Sequence, residues 1–264
     1  MDYNAQDPKF RQSLIGIGDD ILKSTIQFFV KEDELNYKPY GTGVLYSNAF
    51  QYFIITAAHV TDKQLFVVSG NELMALTGIK KIINSNSKNI DLCYIIIDTR
   101  MLSFLKKNYH SISKENVYLS HTPTQTLNYL VVGFPANTQK LNLEGRLNRV
   151  SLRYYNLKMS KENVYDYCKI DKTVQYALDF KGKMENYENS EIKKIGEPFG
   201  LSGSGLWMLV QKEKDVMYSL GYKLIGIMTE FRKGRYHCLI GNKIEFITKK
   251  LEDIGGPVFY LDDK

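Results

Sequence analysis

Short apolar runs separated by polar turn residues dominate the pattern of this chain. The runs are rich in β-branched and aromatic residues and are bounded by Asn, Gly, Lys and Asp, which is the pattern of strands joined by turns. About eleven such runs occur, at 25–30, 43–47, 52–58, 65–70, 92–97, 127–134, 149–156, 174–180, 205–211, 217–228 and 236–241. Helical spacing appears only near 9–23, 101–108 and 242–254. The pattern predicts an all-β protein with a C-terminal helix and no βαβ alternation.

The predicted strands form two groups of similar size on either side of a polar stretch at 111–126 that contains a proline. Two antiparallel barrels suit two such groups, because closure removes exposed sheet edges, and a sandwich is the alternative. We therefore expect an N-terminal extension at 1–21, a first barrel at 22–115 and a second at 116–264 that includes the C-terminal helix. The sequence leaves open whether the extension is a packed helix, a docking arm or disordered.

Composition excludes several classes of protein. The chain has 264 residues, of which 44% are hydrophobic, enough for a core that needs no disulfide or metal. Its apolar runs are far shorter than the roughly 20 residues that span a bilayer, and its N-terminus lacks the features of a secretory signal. We expect a cytoplasmic protein with no membrane partner. Three cysteines without CxxC spacing, Cys93, Cys168 and Cys238, predict free thiols, and no metal or cofactor is expected.

Charge gives little sign of a nucleic-acid partner. The net charge is +6, but 35 Lys and Arg are dispersed among 29 Asp and Glu. The densest basic cluster, at 80–88, is interpreted as a solvated loop between strands rather than as a nucleic-acid patch.

Three short segments carry the candidate chemistry. IITAAHV at 54–60 ends an apolar strand with two alanines before His59, which lets the imidazole face a cleft. NIDLCYIII places Asp91 at the entrance of another apolar strand, where it can accept a hydrogen bond from a histidine. GLSGSG flanks Ser202 with Gly200 and Gly203, so the backbone can turn tightly and direct N–H groups at an oxyanion. Each has a structural alternative when taken alone: His59 can be a structural histidine, Asp91 a strand-end cap, and GLSGSG a flexible loop.

Together, and in this order, the segments resemble the signatures of the chymotrypsin-like (trypsin-like) serine peptidases, of a bacterial cytoplasmic type. The resemblance covers roughly residues 22–252. It is carried by TAAH at 56–59, DLCYI at 91–95 and GLSGS at 200–204, together with GTGVLY at 41–46, LVVGFP at 130–135 and LIGIMTE at 224–230. It implies two six-stranded antiparallel barrels with the active site between them.

The resemblance also implies a serine endopeptidase that acts through an acyl-enzyme. His59 would be the general base, Asp91 would orient it, and Ser202 would be the nucleophile. The backbone N–H groups of Gly200 and Ser202 would bind the oxyanion. Ser204 is the alternative nucleophile, but only Ser202 has the G-x-S-G spacing. Among the aspartates, Asp62 is too close to His59 along the chain, and Asp98 is at the far end of its strand.

Four residues are candidates for the substrate pocket: Gly196, Glu197, Thr229 and Glu230. Gly196 lies six residues before Ser202, and Glu230 is on the strand expected beside the substrate. A carboxylate in the pocket would favour Lys or Arg before the scissile bond, and the alternative is that both glutamates face solvent.

Leu201 departs from the family pattern, because many secreted members have an aspartate there that pairs with a newly cleaved N-terminus. Leucine cannot form that ion pair, so activity is either constitutive or controlled by a regulatory protein partner, an inserted loop or another conformational change. We expect it to be regulated, and narrow in substrate. Protein or peptide substrates are expected. The alternatives are a catalytically silent binding module that keeps the fold, and an esterase or self-processing relative.

Overall fold

A computed structural model describes residues 7–34, 36–83, 89–123, 129–134, 152–180, 183–185, 192–194, 198–211, 220–252 and 254. Over these residues the chain is mostly β, with two large antiparallel sheets, one short two-stranded sheet and four α-helices. The predicted all-β class and the C-terminal helix are confirmed.

The first sheet has seven strands and curls back on itself. In the order β5-β4-β1-β2-β3-β7-β6, it consists of β1 (Thr25–Lys31), β2 (Tyr37–Ser47), β3 (Tyr52–Ala57), β4 (Phe66–Ser69), β5 (Glu72–Ala75), β6 (Ile79–Ile82) and β7 (Leu92–Ile96). The two edge strands, β5 and β6, follow each other along the chain with only residues 76–78 between them. Four residue steps span at most about 14 Å, so the two edges of the sheet lie close together.

The second sheet has six strands in the order β10-β15-β14-β13-β8-β9. These are β8 (Tyr129–Gly133), β9 (Leu152–Leu157), β10 (Gln175–Asp179), β13 (Gly205–Gln211), β14 (Leu220–Arg232) and β15 (Cys238–Lys243), while β11 (Lys183–Glu185) and β12 (Ile192–Lys194) form the separate pair. An isolated bridge between Met159 and Leu178 joins its two edges just beyond β9.

The sheets differ from the expected pair of closed six-stranded barrels. The first has one strand more, and among the described residues neither sheet closes through a continuous ladder. Strands β5 and β6, neither of which the sequence pattern predicted, are four residues long, and every residue of β6 is exposed. Such strands exist because their backbones pair with a neighbour, and they carry no alternating apolar pattern that a sequence reading could detect.

The basic cluster at 80–88 is therefore not simply a loop. Lys80 and Lys81 lie in β6, where they pair with Ile95 and Tyr94 of β7. Residues 84–88 lie outside the described part of the chain. Lysine at the edge of a sheet discourages pairing with other chains, which gives this cluster a structural role.

The helices are α1 (Pro8–Leu22), α2 (Thr99–Leu105), α3 (Glu162–Cys168) and α4 (Glu245–Glu252). Asp7 caps α1 by accepting the Lys9 N–H at 2.8 Å, with Pro8 in the first turn. One face of α1 is buried, through Phe10, Leu14, Ile17 and Ile21. The N-terminal extension therefore contains a helix that packs on the rest of the chain. The pattern of apolar residues did not predict α3.

The largest apolar cluster lies between the two sheets. It contains side chains from the first sheet, such as Val44 and Ile55, from the second, such as Val132 and Ile227, and from α1 and α4. Each sheet also has an apolar cluster of its own. The shared cluster packs the two sheets against each other. The division of the chain into an extension and two barrels, at 21/22 and 115/116, stays a prediction. No helix among the described residues is long and apolar enough to cross a membrane.

Candidate active site

His59 lies just after β3, in a short 3₁₀-helix at Ala58–Asp62. Strand β3 pairs with β7 so that Ala57 faces Leu92, and this register places the residue after β3 beside the residue before β7. The Ala58 N–H donates to the Asp91 carbonyl at 3.2 Å. His59 and Asp91, 32 positions apart, are thus brought together by the strand pairing.

Asp91 contacts His59 through both carboxylate oxygens. Its Oδ1 accepts the His59 backbone N–H at 3.0 Å, and its Oδ2 lies 2.5 Å from His59 Nδ1. This arrangement places the proton on Nδ1 and leaves Nε2 as an acceptor. The hydrogen bond to Asp91 raises the pKa of His59 above its usual value, the charges of Asp91 and Asp62 act in the same direction, and partial burial opposes them.

The other aspartate considered from the sequence, Asp98, has a structural role. Its side chain caps α2 by accepting the Met101 N–H at 2.7 Å, and its second oxygen accepts the Thr77 hydroxyl at 2.6 Å. Asp98 therefore lies outside the candidate site.

Two glycines in the left-handed region shape the turn around Ser202. Gly200 has φ +90° and Gly203 has φ +88°. The Gly203 N–H donates to the Met228 carbonyl at 2.7 Å, and the Met228 N–H donates to the Ser204 carbonyl at 2.8 Å. The turn is therefore fastened to β14, and its conformation requires glycine at both flanking positions.

Replacing Gly203 with alanine should destabilise the fold, because the added Cβ would overlap Thr42 O and Thr56 Oγ1 at a positive φ. We expect a loss of roughly 2–5 kcal/mol in the free energy of unfolding, measured by urea denaturation. Gly234→Ala is the matched control, because φ there is +130° but a Cβ would meet nothing within 4 Å; it should cost only about 1 kcal/mol of strain. Equal losses in the two variants would show that close packing at Gly203 is unimportant.

Thr42 of β2 attaches the serine turn to the first sheet. Its N–H donates to the Ser202 carbonyl at 2.9 Å, and its hydroxyl donates to the Gly200 carbonyl at 2.8 Å. Sequence reasoning gave Thr42 no role, although the surrounding glycines were a signal. A Cβ at Gly41 would collide with Val60, and one at Gly43 would collide with Phe28 and Ile54, so the GTG segment lies where backbones approach closely.

The two candidate serines differ in exposure. Ser202 is partly exposed and lines a cavity that His59 also lines. Ser204 is fully buried (0%), and its hydroxyl has no hydrogen-bond partner among the described residues. Within the same part of the chain, Ser202 Oγ makes no hydrogen bond to His59; such bonds are often long without substrate and tighten when it binds.

The backbone of the serine turn can receive an oxyanion. Leu201, Gly203 and Ser204 donate their N–H groups to Pro198, Met228 and Leu201 carbonyls. The N–H groups of Gly200 and Ser202 have no such acceptor among the described residues. Leu201 itself is buried in the apolar cluster of the second sheet. Apolar packing therefore fixes this part of the turn, where an aspartate would instead form an ion pair.

The cavity lies between the sheets and measures about 630 Å³. Pro39 and Tyr40 line it from the first sheet, and His59 and Val60 from the 3₁₀-helix after β3. Most other lining side chains are apolar: Pro198, Phe199, Leu201, Met228, Phe231 and Leu239. Thr229 and Glu230, two of the residues predicted for the substrate pocket, also line this cavity. The Thr229 hydroxyl donates to the Ile240 carbonyl at 3.4 Å.

Glu230 is already paired within the chain. Its carboxylate accepts two hydrogen bonds from the Arg232 guanidinium, at 2.6 and 3.1 Å. The residue is exposed, and it lines the rim of the cavity. Gly196 and Glu197 lie outside the described residues. Over the described part of the chain, no group of three or more His, Cys, Asp or Glu residues could hold a metal ion.

Comparison with solved structures identifies the class of fold. The similar structures are chymotrypsin-like serine proteases, so this chain has the chymotrypsin-like fold. Kallikrein-related peptidase 10 in complex with Zn²⁺ is similar over 90% of this chain and 96% of that one, at 12% identity and a TM-score of 0.52. The thermostable serine protease AL20 from an extremophilic microorganism is similar over 88% and 95%, at 10% identity and a TM-score of 0.51.

A serine endoprotease from Yersinia pestis is also similar, at 16% identity and a TM-score of 0.48. The match covers 92% of this chain but only 65% of the length of that protein. No protein-family model matches the sequence, and no curated protein matches it.

Proposed function

We propose that this chain is a serine endopeptidase that hydrolyses peptide bonds through an acyl-enzyme. The observation that carries the proposal is that His59, which Asp91 holds through Nδ1, and the glycine-shaped turn of Ser202 line one cavity between the sheets. The fold supports the proposal, because the similar solved structures are proteases.

The proposed reaction begins with attack of Ser202 Oγ on the substrate carbonyl carbon. His59 Nε2 takes the hydroxyl proton as the C–O bond forms, and then gives it to the leaving amine as the C–N bond breaks. The N–H groups of Gly200 and Ser202, which have no backbone acceptor among the described residues, stabilise the tetrahedral oxyanion, which is worth about 10²–10³-fold in rate per donor. Water then hydrolyses the acyl-enzyme by the same steps, with water in place of the serine hydroxyl.

Asp91 keeps the imidazole in the required tautomer and stabilises its protonated form. Both roles depend on the contacts described above, because Oδ1 fixes the backbone of His59 and Oδ2 holds the ring. The buried side chain of Leu201 and the bonds from Thr42 hold the oxyanion turn without an ion pair. We therefore propose that activity does not depend on a newly cleaved N-terminus pairing with residue 201.

The proposed function is tested by comparing newly formed protein termini in cells that express the wild-type chain or Ser202→Ala. Termini that appear only with the wild-type chain identify an endopeptidase and its substrates. Hydrolysis of ester substrates without new termini would indicate an esterase, and the absence of both activities would indicate a silent binding module.

The cavity favours an apolar residue before the scissile bond. Its wall is formed largely by apolar side chains, and the one carboxylate among its described residues, that of Glu230, already has Arg232 as its counter-charge. A lysine or arginine side chain placed there would be desolvated without an unpaired carboxylate among the described lining residues, which is unfavourable.

In a peptide library we expect cleavage after Leu, Met or Phe to exceed cleavage after Lys or Arg by at least about tenfold, equivalent to 1.4 kcal/mol in the transition state. Glu230→Gln should leave this preference unchanged, because the substitution keeps the side-chain shape and removes a charge that is already paired. A preference for Lys or Arg that is lost in Glu230→Gln would place that carboxylate in the pocket. If a preference for Lys or Arg persisted in Glu230→Gln but was lost in Glu197→Gln, the carboxylate that binds the basic side chain would be that of Glu197.

A further inference from the structure

A fully buried asparagine of the second sheet holds the turn that carries Asp91. Asn242 lies on β15 and its exposed fraction is 0%. Its Oδ1 accepts the Asp91 N–H at 3.0 Å, and its Nδ2 donates to the Asn89 carbonyl at 2.8 Å. A single amide side chain thus binds both ends of residues 89–91, although these belong to the connection that leads into the first sheet.

The partners of Asn242 define the orientation of its amide. A backbone N–H can only donate, so the atom that faces Asp91 N is the oxygen. The other side faces the Asn89 carbonyl and, at 3.5 Å, the Val174 carbonyl, both of which only accept. No other residue of similar size offers one acceptor and two donors in this arrangement.

A second buried amide reinforces the first. Gln175 on β10 donates from Nε2 to the same Asn89 carbonyl at 3.2 Å. Gln175 and Asn242 are directly paired in the register of β10 and β15. Both strands belong to the sheet that continues through β14 into β13, which begins three residues after Ser202.

We propose that Asn242 is a positioning residue that holds the Asp91 carboxylate against His59 and fixes this pair relative to the serine turn. The inference rests on the proposed peptidase function, which it deepens. The path is short: Asn242 fixes the Asp91 backbone, Asp91 Oδ1 fixes the His59 backbone, and Asp91 Oδ2 holds the ring. Without the amide, the Asp91 N–H would lose its Asn242 acceptor and the Asn89 carbonyl would lose one of its donors, and the turn would move to replace these bonds.

The test follows the titration of the His59 ring by NMR in Asn242→Ala, made in a Ser202→Ala background that prevents self-cleavage. Two carboxylates act on His59, those of Asp91 and Asp62, and Asn242 binds the backbone of Asp91 only. Displacement of Asp91 should lower the His59 pKa by at least about 0.5 unit. With Ser202 present, kcat should fall by about 10²-fold while KM changes less than twofold, because misplacement affects the chemical step.

Asn48→Ala is the matched control. Asn48 makes the same kind of contacts at another turn: Oδ1 accepts the Phe50 and Gln51 N–H groups at 2.9 and 2.7 Å, and Nδ2 donates to the Leu251 carbonyl at 3.0 Å. It should leave the His59 titration unchanged. An unshifted His59 in Asn242→Ala, or an equal shift in Asn48→Ala, would overturn the proposal.

If Asn242→Ala does not fold, Asn242→Ser provides the same test, because a hydroxyl on a shorter side chain cannot bind both Asp91 N–H and the Asn89 carbonyl. The expected shift has the same direction, and its absence would also overturn the proposal. The titration needs no turnover. A shifted His59 in a protein that cleaves nothing would therefore support the role of Asn242 and contradict the proposed function alone.

Discussion

Replacing Ser202 with alanine is expected to abolish labelling of the purified protein by fluorophosphonate probes. These probes react with a serine hydroxyl that a neighbouring base activates, and Ser202 is the partly exposed serine of the cavity that His59 also lines. Peptide cleavage should fall to the level of the uncatalysed control. The fold should be retained, because the substitution removes one hydroxyl without a partner among the described residues and creates no core cavity; gel fluorescence and thermal unfolding measure the two effects.

Ser204→Ala is the control two positions away. Its hydroxyl is fully buried and has no hydrogen-bond partner among the described residues, so no probe can reach it and its removal leaves no group unpaired. We expect most of the labelling to remain and the stability to be unchanged or slightly higher. If Ser204→Ala lost the label and Ser202→Ala kept it, the assignment of the nucleophile would be reversed.

The sequence predicted the long strands and the helices with strong periodicity, because burial on one face leaves a regular pattern. Strand β3 was predictable from a different signal, because five of its six residues are buried, so both of its faces are covered and it is a continuous apolar run. Strands β5 and β6 were missed because they are short and none of their residues is buried, so they depend on backbone pairing with β4 and β7. The same two strands form the edges of the first sheet, and no ladder joins them among the described residues. The expected closure of the first barrel was therefore the least accurate part of the fold prediction.

The candidate site was predictable where local sequence sets geometry. His59, Asp91 and Gly200 each stand next to residues that shape their own backbone, and the structure places them around one cavity or in contact with it. Thr42 and Asn242 were not predictable, because their partners lie 158 and 151 positions away and no local pattern encodes such a contact. The sequence left Glu230 either in the substrate pocket or facing solvent, and only the folded β14 reveals its pairing with Arg232.

Asp91→Asn is expected to lower kcat by about 10⁴-fold and to move the pH dependence of activity downward. In the wild-type chain, the hydrogen bond to Asp91 and its charge raise the His59 pKa, so kcat/KM should increase with pH through a midpoint above about 6.5. The base must be neutral to accept the serine proton, and therefore a raised pKa delays activity to higher pH. The Asp91→Asn substitution removes the charge, which lowers the His59 pKa and brings the midpoint to lower pH.

The large loss of kcat has a separate cause. The amide that Asp91→Asn introduces can donate to His59 Nδ1, which leaves the ring proton on Nε2. A protonated Nε2 cannot accept the serine proton.

Asp62→Asn is the control that distinguishes the effect of charge on the His59 pKa from the effect of the tautomer on kcat. Asp62 is exposed, lies in the same 3₁₀-helix as His59 and acts on it only through its charge. Its replacement should lower the midpoint slightly and leave kcat within about threefold at high pH, since an exposed charge contributes little. Rate profiles from pH 5 to 9 for the three proteins provide the measurement. If Asp91→Asn had the wild-type midpoint and kcat, Asp91 would not be the partner of the catalytic base.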